Sequence, residues 1–356
     1  MNLVAPQAAQ VASILLVRLS AIGDILFATP LVAALRRTYP HARIAWLVQT
    51  EYQGLLAAHP DLDLVIPCPI GAWRKDWREG RFLRVLRQIA ALRARLHRQH
   101  FDLALDLQGL LKSGALAWLS GARRRIGLGS REGSGLLMSR VLGPLPESAR
   151  IGSEYLFLAA ALGLDAGDFG MAAHYGPDEA AVAERLLAAH GLDTGFIAAC
   201  PFTTRAQKHW LAERWPVLAQ RVWAEHGLPL ALLGGPGDRA AGEAIASAAD
   251  SAAVNLAGAT SLAQAAAVIA RGRALVGVDT GLSHMGIALG RPSLLLFGAT
   301  CPYTDTTRPD ARVLYHPRAC SPCRRRPTCD GRFDCMRDIQ VDEVLAALRQ
   351  LPGFHA

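Results

Sequence analysis

Four short stretches of the chain carry residue types that could handle an anionic, hydroxyl-rich ligand. Val278-Asp279-Thr280-Gly281-Leu282-Ser283-His284 follows an apolar run, Ala274 to Val278, and opens a helical pattern from Leu282 to Leu289. Asp, Thr and Gly at such a turn supply backbone N–H groups and a hydroxyl at the positive end of a helix, which suits a phosphate. The same residues would serve equally as caps for a helix with no ligand. Pro201 to Trp210 contributes Thr203, Thr204 and Lys208, a point charge with two hydroxyls that fits a diphosphate. Gly234-Gly235-Pro236-Gly237-Asp238 lets the backbone approach a nucleotide and offers Asp238 to ribose hydroxyls. Asp24 closes Ser20-Ala21-Ile22-Gly23-Asp24, and its position assigns it equally to capping and to catalysis. No Walker sequence and no G-x-G-x-x-G stands in the right context, so kinase, ATPase and dehydrogenase readings lose support.

These stretches need a scaffold that brings them to one edge, and alternating α/β patterns supply it. Ser13 to Leu19, Arg43 to Gln49, Leu64 to Ile70 and Phe101 to Leu107 read as buried strands. Gly195 to Cys200, Leu228 to Leu233, Ala253 to Leu256 and Ala274 to Val278 restart the rhythm. In doubly wound folds ligands sit beyond the carboxyl ends of the strands, where all four stretches fall. At 356 residues the chain suits two domains. Gly, Asp and Pro gather between Gly163 and Asp178, which places the boundary there and divides the chain into 1–172 and 173–356. Ile25 to Arg37 reads as a helix with Pro30 in its first two turns, and Val341 to Leu351 as a final helix that packs back across the domains.

Net charge of +8 and a pI of about 9.4 predict acidic partners: nucleic acid, anionic lipid or a phosphorylated substrate. The chain is 51% hydrophobic, yet no uninterrupted apolar run has membrane-spanning length. Met1 to Gln10 lacks the basic start of a secretion signal, so the expected location is the cytoplasm. Arg81, Arg84, Arg87, Arg93 and Arg95 mark a solvated helix face running to Arg98. Before them, Trp73-Arg74-Lys75 reads as a loop whose indole and cations suit a phosphorylated or carboxylated ligand. Asp106-Leu107-Gln108-Gly109 ends a strand, with Lys112 and Ser113 opening a helix. Arg123, Arg124 and Arg125 form a basic cluster, and Gly127 to Gly135 reads as a mobile loop. Asp61-Leu62-Asp63 spells the DxD of some metal-dependent nucleotide-sugar enzymes, but it leads straight into a strand as an ordinary solvated approach does.

Taken together, Ser20 to Asp24, Asp106-Leu107-Gln108-Gly109-Leu110-Leu111-Lys112-Ser113, Thr203 to Trp210 and Val278 to His284 resemble glycosyltransferase family 9, the lipopolysaccharide heptosyltransferases. The similarity runs from about Ser13 to Phe297, and Trp73-Arg74-Lys75 after Val65-Ile66-Pro67 resembles the branch that adds the first heptose to Kdo. The resemblance implies a GT-B architecture: two Rossmann-like domains facing across a cleft, acceptor on the first and ADP-heptose on the second. It further implies inversion at the anomeric carbon without a metal, with Asp24 as the base and Lys208 with Asp279-Thr280-Gly281 stabilising the departing ADP. Thr203 and Thr204 match phosphate contacts, Asp238 a ribose contact, and Asp279 a contact to sugar hydroxyls. On the acceptor side Trp73, Arg74, Lys75, Gln108 and Lys112 are expected to meet the anionic lipid A and Kdo region, at the inner face of the inner membrane. His284 matches the family motif and reads as structural. Where the family often carries a His-Ala-Val-like stretch, this chain has Gly152-Ser153-Glu154-Tyr155-Leu156, a difference that bears on the acceptor.

The tail adds Cys320, Cys323, Cys329 and Cys335, spaced as a candidate tetrahedral thiolate site for structural zinc or iron. Some autotransporter heptosyltransferases of the broader family hold iron through four cysteines. Cys68, Cys200 and Cys301 read as small buried hydrophobes. Beside the heptosyltransferase reading stand a family 9 transferase with another nucleotide sugar or acceptor, protein included, and a non-catalytic nucleotide-sugar binder. Nucleic acid is not expected, because no binding motif with stacking aromatics is visible.

Overall fold

Two six-stranded, all-parallel sheets carry the chain, one in each half. The computed structural model describes residues 11–299, 303–323 and 326–354. One unit runs up to Glu147 and takes in Gly152–Met171; the other takes Ser148–Ile151 and everything from Ala172 onward.

In the first unit the strands are β1 (Ser13–Val17), β2 (Arg43–Gln49), β3 (Leu64–Cys68), β4 (Leu103–Asp106), β5 (Arg124–Leu128) and β6 (Arg140–Leu142), in the order β3-β2-β1-β4-β5-β6. β1 and β4 are buried at every position, as strands covered on both faces must be, which explains their unbroken apolar sequences. The chain order reverses beside β1, between β2 and β4, so the turn after β1 opens at a topological switch point. The helix expected from Ile25 to Arg37 is two, Ile22–Ala28 and Pro30–Thr38, with Thr29 between them. Pro30 lacks the N–H that would continue the first helix and fits the first position of the second.

β5 lies where the sequence suggested a basic cluster and the start of a mobile loop. Arg124 and Arg125 begin a strand, and Arg125 donates to the carbonyls of Leu137 (2.9 Å) and Ala122 (2.8 Å). The glycine-rich stretch is tied down as well: Arg131 N–H (2.8 Å) and Ser134 Oγ (3.1 Å) both donate to Gly109 O. Neither tie has a local sequence signature, since both depend on partners far along the chain. Asp63 is spent on structure, accepting from Ile44 N and Arg36 Nη2, each at 2.7 Å.

In the second unit the strands are β7 (Ile197–Cys200), β8 (Leu230–Leu232), β9 (Ala253–Asn255), β10 (Ala274–Val278), β11 (Ser293–Phe297) and β12 (Ala311–Tyr315), in the order β12-β11-β10-β7-β8-β9. The final helix, Val341–Arg349, seats Val344, Leu345, Ala347 and Leu348 in this unit's own core, beside Trp210 and Trp215. Its apolar stripe, expected to pack back across the domains, is thus used in this unit's core. Cys68 and Cys200 are buried, and burial pushes the Cys68 thiol up to about 12. Cys301 lies outside the described residues. Among the described residues no helix is long and apolar enough to cross a membrane.

Gly277 in β10 fixes how closely the site helix approaches the sheet. A Cβ there would stand 2.2 Å from Ser283 Oγ and 2.8 Å from Cys200 Cβ. Gly277→Ala is therefore expected to destabilise the protein by about 1–3 kcal/mol through overpacking. Denaturant unfolding measures it, and an unchanged midpoint would mean that the contact can give.

Candidate active-site residues in each unit

Asp24 occupies the first turn of the helix Ile22–Ala28, just past the carboxyl end of β1. Its Oδ2 accepts the Ala21 N–H at 3.2 Å and pairs with Arg18 Nη2 at 2.5 Å. Both contacts fall on one oxygen, so Oδ1 has no partner among the described residues. The side chain is 43% exposed, against 11% for Arg18. Capping and availability therefore coexist in one carboxylate.

Arg18, which the sequence presented only as the residue ending a strand, anchors this arrangement. Its Nη1 donates to Leu107 O at 2.8 Å, and its own carbonyl accepts from Trp46 Nε1 at 3.1 Å. Burial works against its charge, but Tyr155 and Asp24 more than compensate and keep it protonated. Glu154 and Tyr155, in the first turn of the helix Ser153–Ala161, complete the group. Tyr155 donates to Asp24 O at 3.4 Å. Burial first, and then the negative charge of Asp24, raise the Glu154 carboxyl above its ordinary value. A lone Arg after a strand and a Glu opposite a distant turn carry no spacing that sequence reading could find.

The Asp106-Leu107-Gln108-Gly109 turn stands beside it. Asp106 is fully buried and accepts from Gln108 N (3.0 Å) and Gly109 N (3.2 Å), while burial raises its pKa. Gln108 Oε1 accepts from Leu19 N at 3.2 Å, bracing the turn after β1. Lys112 is half-buried and lines a cavity of about 460 Å³ with Arg74, Leu110, Leu111, Ala115 and Glu132. Burial, then the nearby Arg74 charge, lower its pKa. Arg74 also borders a second cavity, of about 440 Å³, with Gly71, Lys75, Arg78 and Glu79.

The structure thus gathers three of the five expected acceptor residues, Arg74, Lys75 and Lys112, around these two cavities. Trp73 corrects the sequence reading: Trp73-Arg74-Lys75 is helical, within Ile70–Arg78, and the indole packs against the core with Nε1 buried and unpartnered. Helical spacing turns Trp73 inward while its two neighbours stay exposed. Gln108 is likewise 7% exposed and committed to the backbone.

In the second unit Lys208, at the end of the short turn Ala206–Lys208, places Nζ 2.7 Å from Asp279 Oδ2. His284 Nε2 lies 3.3 Å from Asp279 Oδ1, and Tyr303 Oη lies 2.8 Å from the same nitrogen. Burial opposes ionisation of Asp279, yet the His284 hydrogen bond and the Lys208 charge outweigh it and hold the carboxyl well below the usual range. His284 is 3% exposed and stands against the rings of Phe297 and Tyr303, so its structural reading is joined to a link with the site. Tyr303 was not visible in the sequence, because its partner lies across a loop without a motif.

Thr280 is the residue before the helix Gly281–Ala288, and its side chain makes no cap hydrogen bond. The hydroxyl and the positive helix end are therefore not spent on each other. Thr203 Oγ1 reaches Asp279 O at 3.5 Å, while Thr204 is exposed. Asp238 Oδ2 accepts from Gly235 N at 2.8 Å and shapes its own turn. A Cβ on Gly234 would meet the Phe202 ring at 2.5 Å, so that glycine answers to packing as well.

Of the four tail cysteines, Cys329 and Cys335 are buried, Cys323 is intermediate and Cys320 is exposed. Burial, followed by the other three cysteines, pushes the Cys335 thiol up to about 11. Their donor chemistry suits zinc or iron. Among the described residues, no three His, Cys, Asp or Glu side chains gather as a ligand set.

Doubly wound parallel sheets in both halves, with the charged residues at strand carboxyl ends, put the chain in the GT-B class of α/β enzymes. The model of glycosyltransferase family 9 (heptosyltransferase) matches residues 89–332. Lipopolysaccharide heptosyltransferase 1 of Pseudomonas aeruginosa is 32% identical over 91% of this chain and 92% of its own. Heptosyltransferase WaaC of E. coli, solved with ADP-2-deoxy-2-fluoro heptose, superposes with a TM-score of 0.71 at 25% identity, covering 95% of this chain and 99% of that one. A family 9 glycosyl transferase from Veillonella parvula shares the fold, with a TM-score of 0.78 at 20% identity over 95% of this chain and 96% of its own. The chain belongs to glycosyltransferase family 9 and is an enzyme of that family.

Proposed function

We propose that the chain transfers heptose from ADP-heptose to the Kdo of the lipopolysaccharide inner core, inverting the anomeric carbon without a catalytic metal. The observation that carries this reading is Asp24, fixed through Oδ2 by Arg18 and open at Oδ1. The acceptor hydroxyl oxygen bonds to C1 of the heptose while the bond from C1 to the diphosphate oxygen breaks. ADP leaves with that electron pair, and Asp24 takes the hydroxyl proton. Lys208 and the amino end of Gly281–Ala288 face the charge that develops on the diphosphate. Thr203 and Thr204 add hydroxyls there, Asp238 meets the ribose, and Asp279 holds Lys208 in place while reaching sugar hydroxyls. Arg74, Lys75 and Lys112 receive the anionic groups of the acceptor. The enzyme works in the cytoplasm, against the inner face of the inner membrane. The names of the P. aeruginosa and E. coli relatives support the donor and the pathway.

The test is ADP release from ADP-heptose with and without a Kdo-lipid A acceptor. Acceptor-dependent release is the expected result. No release, with ADP still bound, would transfer the reading to another nucleotide sugar or acceptor, protein included. The tail makes a separate proposal: Cys320, Cys323, Cys329 and Cys335 are the residues that would hold a structural zinc or iron. Elemental analysis of protein purified without chelator decides it, one equivalent per chain assigning a tetrathiolate and none leaving the thiols to packing.

A further inference from the structure

The helix Phe82–His97 carries large apolar side chains on its outer face as well as on its core face. Val85, Leu92 and Leu96 face the core. On the opposite side Leu83 is 70% and Leu86 56% exposed, sharing helical spacing with the exposed Arg87, Ala90, Arg93 and Ala94. Phe82 and Trp77, the latter from the helix Ile70–Arg78, extend this face with their rings edge to face at 4.6 Å. Among the described residues these four large side chains stay 47–70% exposed, where the sequence had suggested only a solvated face of arginines.

The charges around the patch have one sign. Phe82–His97 contains Arg84, Arg87, Arg93 and Arg95 and no acid. The acids of the neighbouring helix end are already used: Asp76 pairs with Arg81 at 2.5 Å and Arg84 at 3.5 Å, and Glu79 also pairs with Arg81. Arg74, Lys75, Arg78, Arg87 and Arg93 make no ion pair among the described residues.

We propose that the face of Trp77, Phe82, Leu83 and Leu86, rimmed by Arg78, Arg87 and Arg93, docks the first unit on an anionic lipid bilayer. A basic helix with aromatic and leucine side chains outward lies in the plane of the interface, burying its apolar residues at the headgroup boundary while the cations meet anionic lipid. Nucleic acid would satisfy the cations but leave Leu83 and Leu86 in water. The inference deepens, and in that respect rests on, the reading of a lipid-borne acceptor: Arg74, which lines the candidate acceptor cavity, belongs to the same helix as Trp77.

The experiment is co-sedimentation with vesicles of phosphatidylcholine alone, or mixed with phosphatidylglycerol, both free of any glycolipid acceptor. Binding is expected to the mixed vesicles only, weakening as salt rises. The double variant Leu83→Ser with Leu86→Ser is expected to bind at least about tenfold more weakly, with its fold unchanged because both positions are exposed. Arg87→Glu with Arg93→Glu should lose binding and its salt dependence. No binding by the wild type, or wild-type binding by the leucine variant, overturns the inference. So does competition by double-stranded DNA with no effect of the leucines, which would mark a general polyanion surface. Because the vesicles carry no acceptor, failure of the transferase reading appears elsewhere, as absent ADP release with docking intact.

Discussion

Asp24→Asn is expected to lower turnover by roughly 10²- to 10⁴-fold while ADP-heptose affinity stays near that of the wild type. Asparagine keeps the shape of the side chain, and its carbonyl can still accept the Ala21 N–H, so the start of the helix Ile22–Ala28 survives. What is lost is the proton acceptor at Oδ1. The change also leaves the largely buried Arg18 without its carboxylate, although Leu107 O still receives one of its N–H groups. A modest fall in Tm is therefore expected beside the large fall in kcat, and measuring both separates base removal from unfolding. Asp24→Ala should cost about 1 kcal/mol more in stability, because the cap goes as well. Wild-type turnover in the asparagine variant would take Asp24 out of the mechanism. Glu154 would then be the next residue to change, since burial and the neighbouring negative charge raise its carboxyl above its ordinary value and make its carboxylate the more basic.

What the sequence made legible and what it hid divide along a physical line. β1, β4 and β10 were readable because strands covered on both faces need continuous apolar runs. The turns after β1, β7 and β10 were readable as turns because short polar clusters end the apolar runs there. β5 escaped notice because its first residues are Arg124 and Arg125, and the Arg125 guanidinium satisfies the carbonyls of Ala122 and Leu137 instead of pointing to water. Trp73 was misassigned because composition cannot tell a loop from a helix that turns one residue in three inward. Arg18, Glu154 and Tyr303 were missed for a different reason: Arg18 is braced by Leu107 O, Glu154 senses the charge of Asp24 and Tyr303 meets His284, and a single sequence records no such pairings. The same limit applies to Leu83 and Leu86, whose exposure follows only once the helix has been docked by Val85, Leu92 and Leu96.

Lys208→Met is expected to reduce kcat/KM by roughly 10²- to 10³-fold, with weaker ADP-heptose binding and a lower kcat together. The ammonium is the nearest cation to Asp279, and methionine keeps its length and apolar stem while removing the charge. Asp279 then stays largely buried without the Lys208 ammonium, its hydrogen bond with His284 kept, so some stability goes as well. The sign of the pH effect follows from the depressed carboxyl of Asp279. Its ion pair stabilises the fold fully above the unfolded aspartate value of about 3.9 and loses that contribution only as pH falls toward the much lower folded value. The stability gap between wild type and variant should therefore be constant near neutral pH and shrink in acid. Calorimetry across pH reads the gap, and steady-state kinetics at neutral pH reads the role at the diphosphate. A variant that loses stability but keeps kcat/KM would make Lys208 a brace for Asp279, and the charge on the departing ADP would have to be met by other groups.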